Sequence, residues 1–571
     1  MHAGDIGYIK QASLLHQADR EALAGLLFPH ITKRPDDYER LYPPRDLPAG
    51  AFVTRLAPSP TGFIHLGNLY SALADERLAH RSGGVFILRV EDTDNKREVP
   101  GAVELIQSSL AYFGVHFDEG ATEGGGLGDY GPYRQRARAE IYQSIACHLI
   151  RKGRAYPCFC SEEELAEIRS EQTRNKQNPG YYGPWAKHRD LSMDEIRARL
   201  SAGEAFVIRF RSLGDPSKAF TMTDGIRGAL TMPENDQDFV MLKTDGIPTY
   251  HFAHVVDDHF MRITHIIRGE EWLSTWPYHR ELFQALDYEP PVFCHTTVLM
   301  KMDGGSKRKL SKRKDPELGL DYYQQLGYLP RAVRIYLLTV LNSNYEEWQA
   351  ANPGQDYSAF PFTTEKMGNS GALFDILKLQ NLSKDEFASM PAGEVYDFLL
   401  SWAERSAPDV YPYLAEDAGY VTAILGIGRK GGNPRKDLIY GKQIIDFIRF
   451  FFDGLFVRED PYPEKVPADL AARIFDGYLA SYSFSDGNDS WFDKVRDLGA
   501  EHGFAAKPKD YKNHPELYNG HVGDVSSLLR VALTGRLNSP DLWEVQQVMG
   551  EERVRRRIAS ARDALKADTA N

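Results

Sequence analysis

Two nearly continuous apolar runs, Ala51 to Ala57 and Val85 to Val90, bracket a segment with helical patterning from Leu69 to His80. Such runs suit strands covered on both faces, and Ser82-Gly83-Gly84 supplies the turn between helix and second strand. A further helix is expected after Pro100. This alternation predicts an α/β fold built on a doubly wound parallel, Rossmann-like sheet, with its ligand crevice at the strand C-termini. Glu91, Asp92 and Asp94 follow directly on the second strand. From about Tyr142 to Pro233 the pattern changes, which reads as an insertion. The sheet is expected to resume at Phe239 to Leu242 and at Ile263 to Ile267, with a helix at Tyr278 to Leu286 and a strand from Phe293 to Lys301.

Beyond Asp321 the periodicity turns helical. Pro330 suits a helix N1 position, followed by apolar Val333, Leu337, Val340 and Leu341. Amphipathic stretches recur at Ile444 to Phe452, Leu528 to Leu533 and Leu542 to Met549. Ahead of the first strand, Leu23, Leu26, Leu27 and Phe28 predict one amphipathic helix packed against the first domain, and LYPPRDLPAG reads as a linker.

At 571 residues the chain is too long for one core and should divide into several domains. No apolar run reaches about 18 residues, so no membrane-spanning helix is expected. The first 50 residues carry seven acids and six bases, unlike a secretory or transit peptide. Four cysteines, Cys147, Cys158, Cys160 and Cys294, do not suggest a disulfide framework, so a reducing cytoplasm is the expected location. A net charge of −12 argues against indiscriminate polyanion binding. Local basic clusters at Lys307 to Lys314, Arg429 to Lys436 and Arg553 to Arg557 read equally as solvated faces or nucleic-acid contacts.

The chemistry concentrates at Arg55 to Asn68, RLAPSPTGFIHLGN, where a strand gives way through two prolines and a glycine to a helix start. Backbone N–H groups and the positive end of a helix dipole suit a phosphate there. His65 can donate to a phosphate oxygen, and Gly67 lets a flat base lie against the backbone. A second basic loop, KRKLSKRK, follows Asp303-Gly304-Gly305, whose paired glycines offer a backbone hinge; taken alone it reads as a basic surface loop or nucleic-acid patch. Arg55 stands at a strand end, where a guanidinium can pair a carboxylate through two parallel hydrogen bonds.

The words APSPTG, His65-Leu66-Gly67-Asn68, VEDTD at Val90 to Asp94 and Lys309-Leu310-Ser311-Lys312-Arg313, with PTYHFAHVVDDH and IIRGEEW between them, resemble the class I aminoacyl-tRNA synthetases. Asn68 stands where the first signature of that class has its second histidine. The words narrow the resemblance to the glutamyl/glutaminyl branch, and the helical tail with GALFDILKLQ and LRVALTGR is similar to the bacterial glutamyl enzymes.

The resemblance implies ATP with Mg2+, L-glutamate and tRNA(Glu) as ligands, with no protein residue assigned to a metal. His65, Lys309 and Lys312 would be catalytic, each well-aimed donor supplying about 3 to 4 kcal/mol of transition-state stabilisation. Thr61, Gly62, Gly67, Asn68, Glu271 and Ser311 would join those three around ATP. Arg55, Ser59, Glu91, Tyr250, His254 and Arg268 would hold glutamate, Arg55 reading the side chain and Glu91 meeting the ammonium. The implied domains are an N-terminal extension (1–50), a catalytic domain in two halves (51–141 and 234–320) around an acceptor-end-binding insertion (142–233), a helical stem-contact domain (321–400) and an all-helical anticodon-binding domain (401–571). A monomer is expected. Charging of tRNA(Gln) with glutamate, a glutaminyl enzyme, and a non-catalytic tRNA-binding paralogue are the alternatives, the last disfavoured by the presence of His65, Lys309 and Lys312.

Some members of this family bind zinc through Cys-x-Cys followed about 25 residues on by Cys-x-His. Here Cys158-Phe159-Cys160 supplies the first half, but Trp185 and Lys187 fall at the later places, with Tyr181 and His188 nearby. Two reduced thiols without zinc are therefore expected, the insertion packing around Tyr181, Tyr182 and Trp185.

Overall fold

A computed structural model describes residues 15–94, 98–369, 371–429 and 434–570. Residues 1–14 of the N-terminal extension and 430–433 of the middle basic cluster lie outside the described residues. The chain divides into two compact units, Met1–Asp321 with Arg334–Asp375, and Tyr322–Val333 with Ile376–Asn571.

In the first unit the leading elements are β1 (Val53–Leu56), α1 (Leu66–Arg81), β2 (Val85–Leu88), α2 (Ala102–Tyr112), β3 (Glu119–Thr122) and α3 (Ala139–Arg151). The inserted strands are β4 (Ala155–Cys158), β5 (Val207–Phe210), β6 (Ala219–Asp224), β7 (Gly228–Pro233) and β8 (Val240–Leu242). Then come α4 (Tyr250–Phe260), β9 (His265–Gly269), α5 (Trp276–Leu286), β10 (Val292–Thr296), β11 (Leu299–Asp303) and β12 (Ser306–Lys309).

Strands β1, β2 and β3 are parallel, with Arg55 opposite Ile87, and β9 runs parallel to β10. Thr264 joins the two groups: its N–H donates to Val53 O at 3.0 Å, and its Oγ1 accepts the Val53 N–H at 2.8 Å. Phe86, Ile87, Leu88 and Val53 are buried, as strands between two helical layers require. Helix α1 packs on β1, β2 and β9, which places its N-terminus at the C-terminal ends of those strands.

Three local expectations need correction. Val240–Leu242 pairs antiparallel with Val207–Phe210 and so belongs to the insertion's sheet, not to the parallel one; a three-residue apolar run carries no signature of its partner's direction. The run from Phe293 to Lys301 breaks at Thr297-Val298 into β10 and β11. Gly304 and Gly305, read as a hinge, form the two-residue turn of the β11–β12 hairpin with φ of +55° and +88°. Both need the left-handed region that a primed hairpin turn demands.

The N-terminal segment is anchored on this unit. Helix Gln17–Leu27 buries Leu23, Ala24 and Leu27 against α3 and leaves Leu26 exposed, and Arg151 Nε donates to Glu21 Oε2 at 2.8 Å. In the Pro-rich linker, Arg45 makes a bidentate pair with Glu119 at 2.7 and 3.0 Å and lies over the Tyr130 ring.

Among its described residues the second unit is helical apart from the two-residue strands Phe504–Ala505 and Gly520–His521. Its core gathers Ile444, Ile474, Phe475, Leu528, Val545 and Ile558. Trp491 Nε1 donates to Tyr478 Oη at 2.9 Å, and Tyr478 in turn donates to Gln546 Oε1, so the buried polar groups satisfy one another. Much of the basic cluster at Arg553 to Arg557 is engaged internally. Arg553, Arg556 and Arg557 converge on Asp453, while Arg555 donates to the carbonyls of Leu479 and Tyr482.

Candidate active site

At the C-terminal ends of β1 and β9, beside the start of α1, lies a cleft of about 460 Å³. Helix α1 begins at Leu66, three residues before its expected start, because His65 is its N-cap. The His65 Nδ1 accepts the Asn68 N–H at 3.2 Å, and the Asn68 Oδ1 accepts the His65 N–H at 3.0 Å. This reciprocal cap satisfies two of the donors that a helix start leaves orphaned. Burial first, and then the Lys309 cation, lower the His65 pKa, with Glu271 opposing. A neutral imidazole accepting at Nδ1 carries its proton on Nε2, so the ring presents a donor. The ring folds over Gly67, where a Cβ would stand 3.0 Å from His65 Cε1. Gly67 is thus needed for the histidine's own placement. Thr61 and Gly62 line an adjoining recess together with Ser59, His65 and Asn68.

The other end of the cleft is cationic. Arg55, on β1, pairs with Asp258 of α4 through Nε at 3.1 Å and Nη2 at 3.3 Å. Asp258 also binds Arg89 Nη1 at 2.5 Å and His254 Nδ1 at 2.6 Å, so the guanidinium is fixed by a fully buried carboxylate. Despite its burial, Asp258 is held well below the usual carboxylate range by Arg55 and Arg89. Glu91 lines the cleft, and burial raises its carboxyl to about 7 against the opposing Arg89 and Arg55 cations. Tyr250 lines it as well, its ring 4.4 Å from that of Trp272. Arg268 arrives at the end of β9, buried to 6% exposure, with no hydrogen-bond partner for Nη2 among the described residues.

His254 does not reach the cleft. Helical spacing puts Tyr250, His254 and Asp258 on one face of α4, and only the first stands at the rim. His254 lies behind it, fully buried and stacked on Tyr250 at 5.7 Å, its pKa lowered by burial to about 3.

Of the basic loop, Lys309 and Leu310 line the cleft, and Lys309 Nζ stands 3.5 Å from Glu271 Oε1. Lys312 lies outside it, with Nζ 4.0 Å from the centre of the Phe63 ring. Ser311 N–H is held by Asp315 Oδ2 at 2.9 Å, and Arg308 makes a bidentate pair with the same carboxylate at 2.6 and 2.8 Å. The loop is therefore clamped through Arg308 and Asp315. Lys309 and Lys312 point to different partners because the hairpin ends at Lys309.

Residues that sequence reasoning passed over also line the cleft: Tyr70, Ser71, Trp272 and Thr297. Tyr70 could have been found from its position one helical turn beyond Gly67. Thr297 had no local signal, being brought in only by the break between β10 and β11.

Away from the cleft, Cys158, Cys160 and His188 place donor atoms within 4.8 Å of one another. Tyr181 Oη lies 3.4 Å from each sulfur, and His188 Nδ1 lies 3.8 and 3.4 Å from Cys158 and Cys160 Sγ. Ligands about 2.0 to 2.3 Å from a tetrahedral centre are separated by about 3.3 to 3.8 Å, so the two thiols and His188 could hold a zinc ion, with the Tyr181 hydroxyl beside them. Tyr181 and His188, named from the sequence as the nearby residues, are thus brought against both thiols. His188 Nδ1 also accepts the Phe159 N–H at 3.1 Å, a bond that a metal would replace.

Residues 51–379 match the family described as tRNA synthetases class I (E and Q), catalytic domain, and residues 511–562 match an anticodon binding domain. A glutamate–tRNA ligase of Acetivibrio thermocellus is 58% identical, over 95% of this chain and 99% of the relative. A glutamate–tRNA ligase of Clostridium perfringens is 47% identical, over 94% and 100% respectively. The crystal structure of a glutamate tRNA ligase from Elizabethkingia meningosepticum in complex with its amino acid aligns with a TM-score of 0.71 at 28% identity, covering 90% of this chain and 99% of that one.

Proposed function

Because the chain belongs to the class I tRNA synthetases (E and Q), we propose that it is a glutamate–tRNA ligase acting through the cleft above. One observation carries the reading: Arg55, Arg268 and Glu91 share a single cleft with His65 and Lys309. Two guanidinium groups suit the acidic side chain, and a carboxylate suits the α-ammonium. The imidazole and ammonium at the other end suit a triphosphate.

In the first step an α-carboxylate oxygen of glutamate attacks the α-phosphorus of ATP, and pyrophosphate leaves with the electron pair of the broken P–O bond. His65 donates from Nε2 to a phosphate oxygen, and Lys309 neutralises charge that spreads in the transition state. The main contribution is positioning, since little covalent help is required of the protein. In the second step the 2′-hydroxyl of the terminal adenosine of tRNA(Glu) attacks the activated carbonyl, and AMP leaves. Lys312 reaches the triphosphate only after leaving Phe63, so closure of the basic loop belongs to this reading.

Mg2+ arrives with the triphosphate. The group of Cys158, Cys160, Tyr181 and His188 would hold Zn2+ in a structural role. A cytoplasmic monomer completes the proposal; among the described residues, no helix is long and apolar enough to cross a membrane. The test is aminoacylation of purified glutamate and glutamine tRNAs with labelled glutamate. Charging of the glutamate tRNA is expected, and charging with glutamine in its place would overturn the assignment.

A further inference from the structure

Arg268 is held by groups outside the cleft. Its Nε–H donates to His295 Nε2 at 2.9 Å, and its Nη1 lies 3.3 Å from His279 Nδ1. His295 Nδ1 lies 2.6 Å from Asp224 Oδ2, and both of these residues are buried, with His295 fully so. Asp224 sits at the turn of the inserted β6–β7 hairpin and also accepts the N–H groups of Ile226 and Arg227 at 2.9 and 3.0 Å. Arg227 closes the arrangement, donating from Nε to the His295 carbonyl at 3.0 Å and pairing with Glu270 at 2.5 Å.

We propose that Asp224 and His295 are positioning residues that aim the Arg268 guanidinium at the carboxylate of the amino-acid substrate. The inference rests on the proposed ligase reading of the cleft. Its logic is one of tautomers. With Nδ1–H given to the Asp224 carboxylate, the His295 lone pair is on Nε2, the only arrangement in which it can accept from Arg268. Burial lowers the His295 pKa, which keeps the ring neutral and that lone pair available. Two nitrogens of the guanidinium are thereby fixed; Arg268 lines the cleft beside Tyr250, and its buried Nη2, which makes no hydrogen bond among the described residues, is left for a ligand oxygen. A guanidinium ordered in advance loses less side-chain entropy on binding. The hairpin turn therefore sets the geometry of a pocket to which it contributes no lining residue.

The experiment compares wild type, His295→Ala, His295→Gln and Asp224→Asn in aminoacylation, recording KM for glutamate, KM for ATP and Tm. His295→Ala should raise the KM for glutamate about 10- to 100-fold, the loss expected for a hydrogen bond to a charged group, while KM for ATP stays within about twofold. His295→Gln places an amide oxygen near the Nε2 position and should recover most of the loss. Asp224→Asn, which no longer enforces the tautomer, should fall between them. Where His295→Ala does not fold, His295→Met against His295→Gln makes the same comparison at similar volume. A wild-type enzyme that charges glutamate beside an alanine variant with unchanged KM for glutamate would overturn the positioning role alone. So would parallel losses for both substrates that glutamine does not rescue. A wild-type protein that charges no glutamate would overturn both this inference and the reading beneath it.

Discussion

His65 and Asn68 hold each other in place across the first turn of α1, ring nitrogen to backbone amide and amide oxygen to backbone N–H. The Asn68 side chain thus has a task independent of any contact with nucleotide, fixing the histidine backbone through Oδ1, while the backbone N–H at position 68 sets which ring nitrogen carries the proton. Asn68→Ala should cost about 1 kcal/mol of stability as a lost cap. It should also lower kcat in pyrophosphate exchange by about tenfold, because the His65 backbone that carries the imidazole loses its partner Oδ1 while the N–H bond to Nδ1 remains. An unchanged kcat alongside the lowered Tm would separate the cap from catalysis.

Arg55 is both a candidate ligand for substrate and the partner of a buried carboxylate. Arg55→Ala should abolish glutamate-dependent charging and leave ATP affinity nearly intact. It should also destabilise the fold by about 3 to 5 kcal/mol, since it removes one partner of a buried ion pair. Arg55→Lys keeps a charge opposite Asp258 but loses the bidentate geometry, so its stability should approach wild type while its KM for glutamate remains raised. Thermal unfolding with substrate kinetics on both variants checks this; equal loss of ATP and glutamate binding would count against the assignment.

The Glu91 carboxyl, raised by burial to about 7, should make glutamate binding pH-dependent near neutrality. The ionised form attracts the substrate ammonium, and the protonated form has no charge to offer. As pH falls below about 7, KM for glutamate should therefore rise by about tenfold per pH unit, with KM for ATP much less affected. Glu91→Gln should raise KM throughout and flatten that profile. A profile as steep in the glutamine variant as in wild type would assign the titration elsewhere.

The thiol, phenol and imidazole group predicts about one zinc per chain in metal analysis of protein purified without chelator. Cys160→Ser should lower that stoichiometry and reduce Tm, because a metal bound only by the folded state stabilises it. Protein at full Tm after exhaustive chelation would dismiss a structural metal here.

Residue order alone carried the parallel sheet, the helical tail and the junction that places His65, Gly67 and Arg55 together, because each depends on periodicity or on neighbours a few positions apart. Contact across long separations was not legible in that way. Asp224 meets His295 over 71 residues and Arg55 meets Asp258 over 203. Nothing in the local pattern of any of the four announces its partner. The same limit explains His254, whose sequence neighbourhood resembles a pocket wall but whose side chain falls one helical turn too deep. It applies to Cys158 and Cys160 as well, since the sequence placed Tyr181 and His188 near them along the chain but not the distances at which they meet in space.

What the sequence by itself determined was the class of fold and the kinds of charge brought to the cleft, since these follow from local pattern and from which side chains are present. Only the tertiary structure decided which charges are spent on one another, which lysine of the basic loop stands in the cleft, and which histidine serves a substrate and which a neighbour. Hydrogen bonds and ion pairs act over a few ångströms in space, whatever the distance along the chain, so their pairing exists only once the strands and helices have packed.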